Sequence, residues 1–202
     1  MSKQYKKKEL KKYLPEQSLF QIKKWIQEFG IMVKITKPRK SKLGDFRILK
    51  NGRCQISVNE NLNRYAFLIT ITHELAHAFV WKRYKTRVMP HGKEWKSTFK
   101  DMMLNFLSPE IFPDDILKVL SKHLLNPKAS SMSDISLATA IGNYDKYKKK
   151  TLADILDGAT FKAQNGRTFV KLGKMRKRYK CQEIGTEKIY LFNPLAEIEL
   201  SS

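Results

Sequence analysis

Thr70-Ile71-Thr72-His73-Glu74-Leu75-Ala76-His77-Ala78-Phe79-Val80-Trp81 sets His-Glu-x-x-His inside an otherwise apolar run. Residues four apart on a helix lie one above the other. His73 and His77 therefore aim two imidazoles at one point, with Glu74 projecting beside them. Two neutral nitrogens suit a zinc ion, and the carboxylate can take a proton from a metal-bound water. The bland alternative is a chance match on a buried helix. The surroundings weigh against it. The helix expected from about Asn63 to Tyr84 is apolar nearly all round, except for a stripe of Thr70, His73, Glu74 and His77. Polar groups in such a helix are costly unless partnered, and a metal would be such a partner.

A catalytic zinc takes three protein ligands and keeps a fourth position open. His91 ends a basic, turn-rich loop, residues 85–92, just before a helix with Trp95, Phe99, Met102, Met103 and Phe106 on one face. A loop there can swing His91 back over the preceding helix, which makes it the candidate third ligand. His123 lies in a later amphipathic segment, Asp114 to Leu125, and reads as a surface or helix-end histidine.

Composition bounds the partners. Lys and Arg number 40 against 19 Asp and Glu, a formal charge of +21. So large an excess is costly in self-repulsion and points to a polyanionic partner, most simply nucleic acid. A merely soluble basic surface is the alternative. At 42% hydrophobic residues, the 202-residue chain can bury a real core, which excludes wholesale disorder. The two cysteines, Cys54 and Cys181, form neither a C-x-x-C pair nor a disulfide framework, so a reducing compartment fits. Met1 to Lys12 is basic without the apolar core of a signal peptide, and no apolar segment reaches membrane-spanning length free of charge or histidine. These features read as a soluble, cytoplasmic protein with no membrane partner.

In chain order, a basic N-terminal arm precedes a helix with Leu19, Phe20, Ile22, Trp25, Ile26 and Phe29 at helical spacing, ending at Gly30. Ile31 to Ile35 reads as a strand, and Lys37 to Lys42 as a basic connection that either touches phosphate or is simply solvated. Phe46 to Lys50 and Arg53 to Val58 flank Asn51-Gly52, the strongest short hairpin signal. Cys54 reads as a small core or edge residue. Around Asn126 to Ser131 the composition turns small and polar, a domain boundary. The expected division is 1–126, then a linker over 127–157 with a short helix at Ile135 to Ile141, then a basic β-rich tail over 158–202. The tail strands lie near Thr160–Ala163, Thr168–Leu172, Arg178–Gln182 and Lys188–Phe192. Lys171, Lys174, Arg176, Lys177, Arg178 and Lys180 cluster there with Phe169 and Tyr179, a mixture suited to backbone contact and base stacking, or to guarding an edge strand.

His73-Glu74-Leu75-Ala76-His77, followed by His91-Gly92-Lys93-Glu94-Trp95, resembles the SprT-like (Spartan-type) zinc metalloproteases. Their pattern is a His-Glu-x-x-His helix, then a third histidine in a His-Gly-x-x-aromatic turn opening the next helix. The Ile56-Ser57-Val58-Asn59 strand and the Asn61-Leu62 turn look like the family's lead-in. The resemblance covers about residues 20–107. It implies an α+β fold, a zincin-like core in which a small sheet packs on the active-site helix. It also implies DNA-stimulated proteolysis of DNA-bound proteins, as in the repair of protein–DNA crosslinks. Many bacterial relatives end in a zinc ribbon with paired cysteines. Here the tail keeps ribbon-like strands but only Cys181, so one catalytic Zn²⁺ is expected and no second, structural one.

The expected function is a zinc metallopeptidase in which His73, His77 and His91 hold the ion and Glu74 is the base. The first rival is a non-enzymatic nucleic-acid-binding protein with a structural zinc. The second is a general peptidase whose basic surface has no polyanion role.

Overall fold

A computed structural model describes residues 10–39, 41–85, 87–128, 130, 133–148 and 150–200. Most of the basic N-terminal arm (Lys3, Lys6, Lys7 and Lys8), with Lys40 and Lys149, lies outside the described residues. The chain is a mixed α+β protein that divides into two units, residues 1–146 and 147–202.

The first unit is built on a central strand. β3 (Cys54–Asn59) pairs in parallel with β1 (Met32–Thr36) and antiparallel with β2 (Gly44–Ile48). Cys54, Ile56 and Val58 alternate onto the core face, as the two-residue period of a strand requires. The Asn51-Gly52 hairpin forms as its residues dictate. Gly52 takes a left-handed φ of +76° and donates to the Leu49 carbonyl at 2.8 Å, and Leu49 N donates to Arg53 O at 2.9 Å.

Helices cover this sheet. α1 (Leu19–Glu28) buries Leu19, Ile22 and Trp25 and stops at Gly30, whose φ is +56°. Phe20, expected on the apolar face, is 78% exposed. α2 (Arg64–Tyr84) begins at Asn63, whose side chain accepts from the amides of Tyr65 and Ala66 at 3.1 and 3.0 Å. The same side chain donates to the Ile141 carbonyl at 3.0 Å. That bond ties the start of α2 to α5 (Ile135–Gly142), so the short helix expected in a linker belongs to the first core through Leu137, Ala140 and Ile141. α3 (Lys93–Leu104) and α4 (Asp114–Leu125) complete the unit.

The second unit is a five-stranded antiparallel sheet. β4 (Thr160–Ala163), β5 (Thr168–Met175), β6 (Arg178–Glu183), β7 (Ile189–Phe192) and β8 (Ile198–Leu200) lie in the order β7-β6-β5-β4-β8. Leu152, Ile155, Phe161, Phe169, Cys181 and Ile198 fill its core. Cys181 behaves as a small hydrophobe, its thiol pushed up to about 11 by burial.

Two members of the expected basic-aromatic surface are corrected. Lys171 is only 3% exposed; its ammonium donates to the Ile155 carbonyl at 2.6 Å, pairs with Asp157 at 3.5 Å and lies 3.8 Å from the Tyr179 ring centroid. It holds the unit together from inside. Phe169 is 1% exposed and stacks with Phe161 at 5.6 Å, so no base can reach it. Lys174, Arg176, Lys177, Arg178 and Lys180 remain on the exposed β5–β6 hairpin.

The Arg167 guanidinium donates to both Glu183 oxygens, and Thr186 donates to the same carboxylate. These partners hold the Glu183 carboxyl down at about 2, below its ordinary 4.5. A carboxyl whose pKa is depressed in the folded state stabilises above its unfolded value and loses that contribution as pH falls through the folded one. Protection of the β5 and β6 amides, exchange corrected for its intrinsic pH dependence, is therefore expected to fall as pH is lowered from about 4.5 towards about 2. Glu183→Gln should flatten that acid dependence; an unchanged profile would remove the pair from the account.

Candidate metal centre

α2 carries the site because its buried faces fix its rotation. With Phe67, Leu68, Ile71, Leu75 and Ala78 fully buried, Thr70, His73, Glu74 and His77 face a cleft of about 510 Å³. Ser41 to Phe46, leading into and along β2, form its opposite wall, and Pro90 and His91 close one end.

The three sequence-predicted histidines meet. Nε2 of His77 lies 3.2 Å from Nε2 of His73 and 2.9 Å from Nε2 of His91, and the remaining pair is 3.2 Å apart. Four-coordinate zinc with bonds of 2.0–2.1 Å has ligand–ligand edges of about 3.3 Å, so this triangle is close to the size of one face of such a site. The set is the only group of three or more candidate metal ligands among the described residues. Chemistry agrees with geometry. Burial pulls the His73 and His77 pKa values down from 6.5 to about 3 and about 4, and lowers His91 as well. Three neutral imidazoles that turn ring nitrogens towards one another could hold a metal ion between them.

His91 reaches the site through unusual backbone. It adopts φ +57°, and Lys85, where α2 ends, adopts +56°. Left-handed conformations are uncommon in non-glycine residues. Together they turn the loop back over α2, and the Gly92 amide closes the turn on the Met89 carbonyl at 2.9 Å.

Glu74 is 7% exposed on the same wall. Burial raises its carboxyl to about 8, with Asp45 adding to the rise and Arg39 and Lys42 opposing it. A divalent cation at the histidines would act with the two basic residues and favour the carboxylate.

Sequence reasoning placed Trp95 on the packing face of the third helix and in the family's His-Gly-x-x-aromatic turn, without giving it a role at the histidines. It is fully buried, and its ring centroid lies 4.6, 5.3 and 4.7 Å from those of His73, His77 and His91. Phe99 stacks behind it at 5.0 Å. Trp95 is thus the floor on which all three imidazoles rest. Its position four residues after His91 is the signal that points to it, since the first turn of α3 must lie under the loop's end. His123 does not join the cluster. It is at the end of α4 as expected but buried, at 4% exposure, with Nδ1 3.0 Å from Asp134, the residue capping α5.

A family model described as the SprT-like family matches residues 9–112, which include every residue of the cluster. Protein SprT of Erwinia tasmaniensis is 57% identical over 35 residues, 17% of this chain and 20% of that protein. Protein SprT of Escherichia coli (strain K12) is 48% identical over 42 residues, 20% of this chain and 25% of its own length. The chain thus spans only about a fifth to a quarter of the curated relatives it matches. No solved structure matches.

Proposed function

The chain belongs to the SprT-like family, and from that premise and the three-histidine cleft we propose that it is a zinc-dependent metalloprotease acting on DNA-bound proteins. The observation that carries this reading is the close triangle of Nε2 atoms with an unligated, buried Glu74 on the same cleft wall. Three ligands leave a fourth position open, whereas structural zinc sites are closed by four protein ligands. The first unit is read as a zincin-like core, in which the β1–β3 sheet packs on α2.

His73, His77 and His91 would hold the ion. A zinc ion held there would lower the pKa of a coordinated water towards neutrality and polarise the substrate carbonyl. Glu74 takes the proton released as water attacks the peptide carbonyl, and delivers it to the departing amine as the C–N bond breaks. Its burial keeps that proton from bulk solvent. The Ser41–Phe46 wall confines an extended substrate against α2, and Trp95 keeps the imidazoles from rotating away.

The DNA part of the proposal rests on charge. The formal charge of +21 and the exposed Lys174, Arg176, Lys177, Arg178 and Lys180 favour a polyanion. Arg176 turns the hairpin with φ +52°, which sets its neighbours at the tip. No described helix is long and apolar enough to cross a membrane; a cytoplasmic enzyme, associated with the nucleoid if the source is bacterial, is the proposed setting.

The test is cleavage of a DNA-binding protein by the zinc-loaded chain with and without DNA. DNA is expected to stimulate it. Replacing Arg176, Lys177 and Arg178 by Glu should weaken DNA binding and flatten the salt slope by about 0.9 for each phosphate no longer neutralised, while cleavage of a short free peptide stays intact. Cleavage indifferent to DNA would sink the targeting claim and leave a general peptidase; zinc binding with no cleavage at all would favour a structural metal in a nucleic-acid-binding protein.

A further inference from the structure

Gly44 opens β2 and forms part of the cleft wall facing α2. Its backbone lies outside the left-handed region, so conformation does not call for glycine there. Space does. A Cβ at this position would lie 2.5 Å from Oε1 and 2.8 Å from Cγ of Glu74, and 2.8 Å from Cγ2 of Thr70. Contacts that short do not occur, so a side chain at residue 44 must drive the Glu74 carboxylate from its place.

The strand cannot simply retreat. Gly44 pairs with Val58 on β3, and the amide of the neighbouring Asn59 donates to the Leu43 carbonyl at 2.9 Å. The Asn59 side chain, itself 2% exposed, donates to the carbonyls of Lys42 at 2.9 Å and Arg39 at 3.3 Å. Those bonds pin the chain leading into Gly44 against the sheet. α2 is held on its other side by fully buried Leu68, Ile71 and Leu75. Two rigid elements therefore close on Glu74, and its side chain is the movable part.

We propose that Gly44 is a positioning residue for Glu74: the bare backbone at the start of β2 sets where the carboxylate stands beside the three histidines. The inference rests on the protease reading for its effect on rate, and on geometry alone for its effect on structure. Misplacing a reacting group by about 1 Å costs on the order of 100-fold in rate, and general-base catalysis contributes about 100- to 10,000-fold.

The experiment compares the 202-residue wild type, Gly44→Ala and Gly44→Ala/Thr70→Ser, each loaded with zinc, by three readouts. The first is zinc affinity by chelator competition, the second kcat and KM on a protein substrate, and the third the crystallographic position of Glu74. Gly44→Ala should bind zinc within about twofold of wild type, keep KM, lose roughly 100-fold or more in kcat, and show Glu74 displaced. The double variant should stay as impaired, because the shortest contact is with Glu74 and not with Thr70. Retained kcat or an unmoved Glu74 in Gly44→Ala would overturn the proposal. So would recovery in the double variant, which would mean that the spacing of β2 and α2 is what matters. A wild type that never cleaves would overturn the protease reading instead, and the crystallographic comparison would still decide the positioning.

Discussion

Glu74→Gln is expected to bind one zinc per chain and to lose cleavage by at least 100- to 10,000-fold, the range a general base supplies. The substitution keeps shape and volume while removing the proton acceptor. The three imidazole donors are untouched, so metal affinity measured by chelator competition should stay within a few-fold. Because the carboxyl sits buried against Gly44, the amide occupies the same space. Loss of both metal and activity would make Glu74 a part of the site's structure. Full activity would remove it from the chemistry, and the proposed roles would have to be reassigned.

Trp95→Ala is the largest expected effect on a residue that touches no substrate. The ring is fully buried beneath three histidines and against Phe99. Truncating a buried Trp typically costs about 3–5 kcal/mol. In a unit of this size each kcal/mol lowers Tm by roughly 2–4 °C, so a fall on the order of 10 °C is expected in the metal-free chain. Zinc affinity should fall as well, since ligands freed to rotate must be ordered on binding. Trp95→Phe should recover most of both. A variant as stable as wild type with unchanged zinc affinity would contradict the floor described above.

The first unit was readable because its signals are local. His-x-x-x-His needs only helical periodicity, and the α4 limits, Asp114 to Leu125, follow from Pro113 and two acidic residues at the helix start. Asn51-Gly52 declared its hairpin for the same reason. The misreadings came from weighing charge above pattern. Lys171 alternates with Phe169 on the inner face of β5, so strand period places it inside, and the ammonium is accommodated by a carbonyl, a carboxylate and an aromatic ring. His123 shares a helix face with Ile116, Leu120 and Leu124, which marks it as buried. β8 is three residues long, too short for any alternation to show. Gly44 had no sequence signal, because its neighbours, Thr70 and Glu74, are far along the chain and belong to another element.

Reconstitution tests the central claim most directly. The 202-residue chain is stripped with a chelator, and cleavage of a DNA-binding protein is followed as zinc is returned. Activity should vanish on stripping and recover to a plateau at one equivalent, with His91→Ala failing to recover at that stoichiometry. Cleavage that survives complete removal of the metal, or full recovery by the His91 variant at one equivalent, would contradict an enzyme built on His73, His77 and His91.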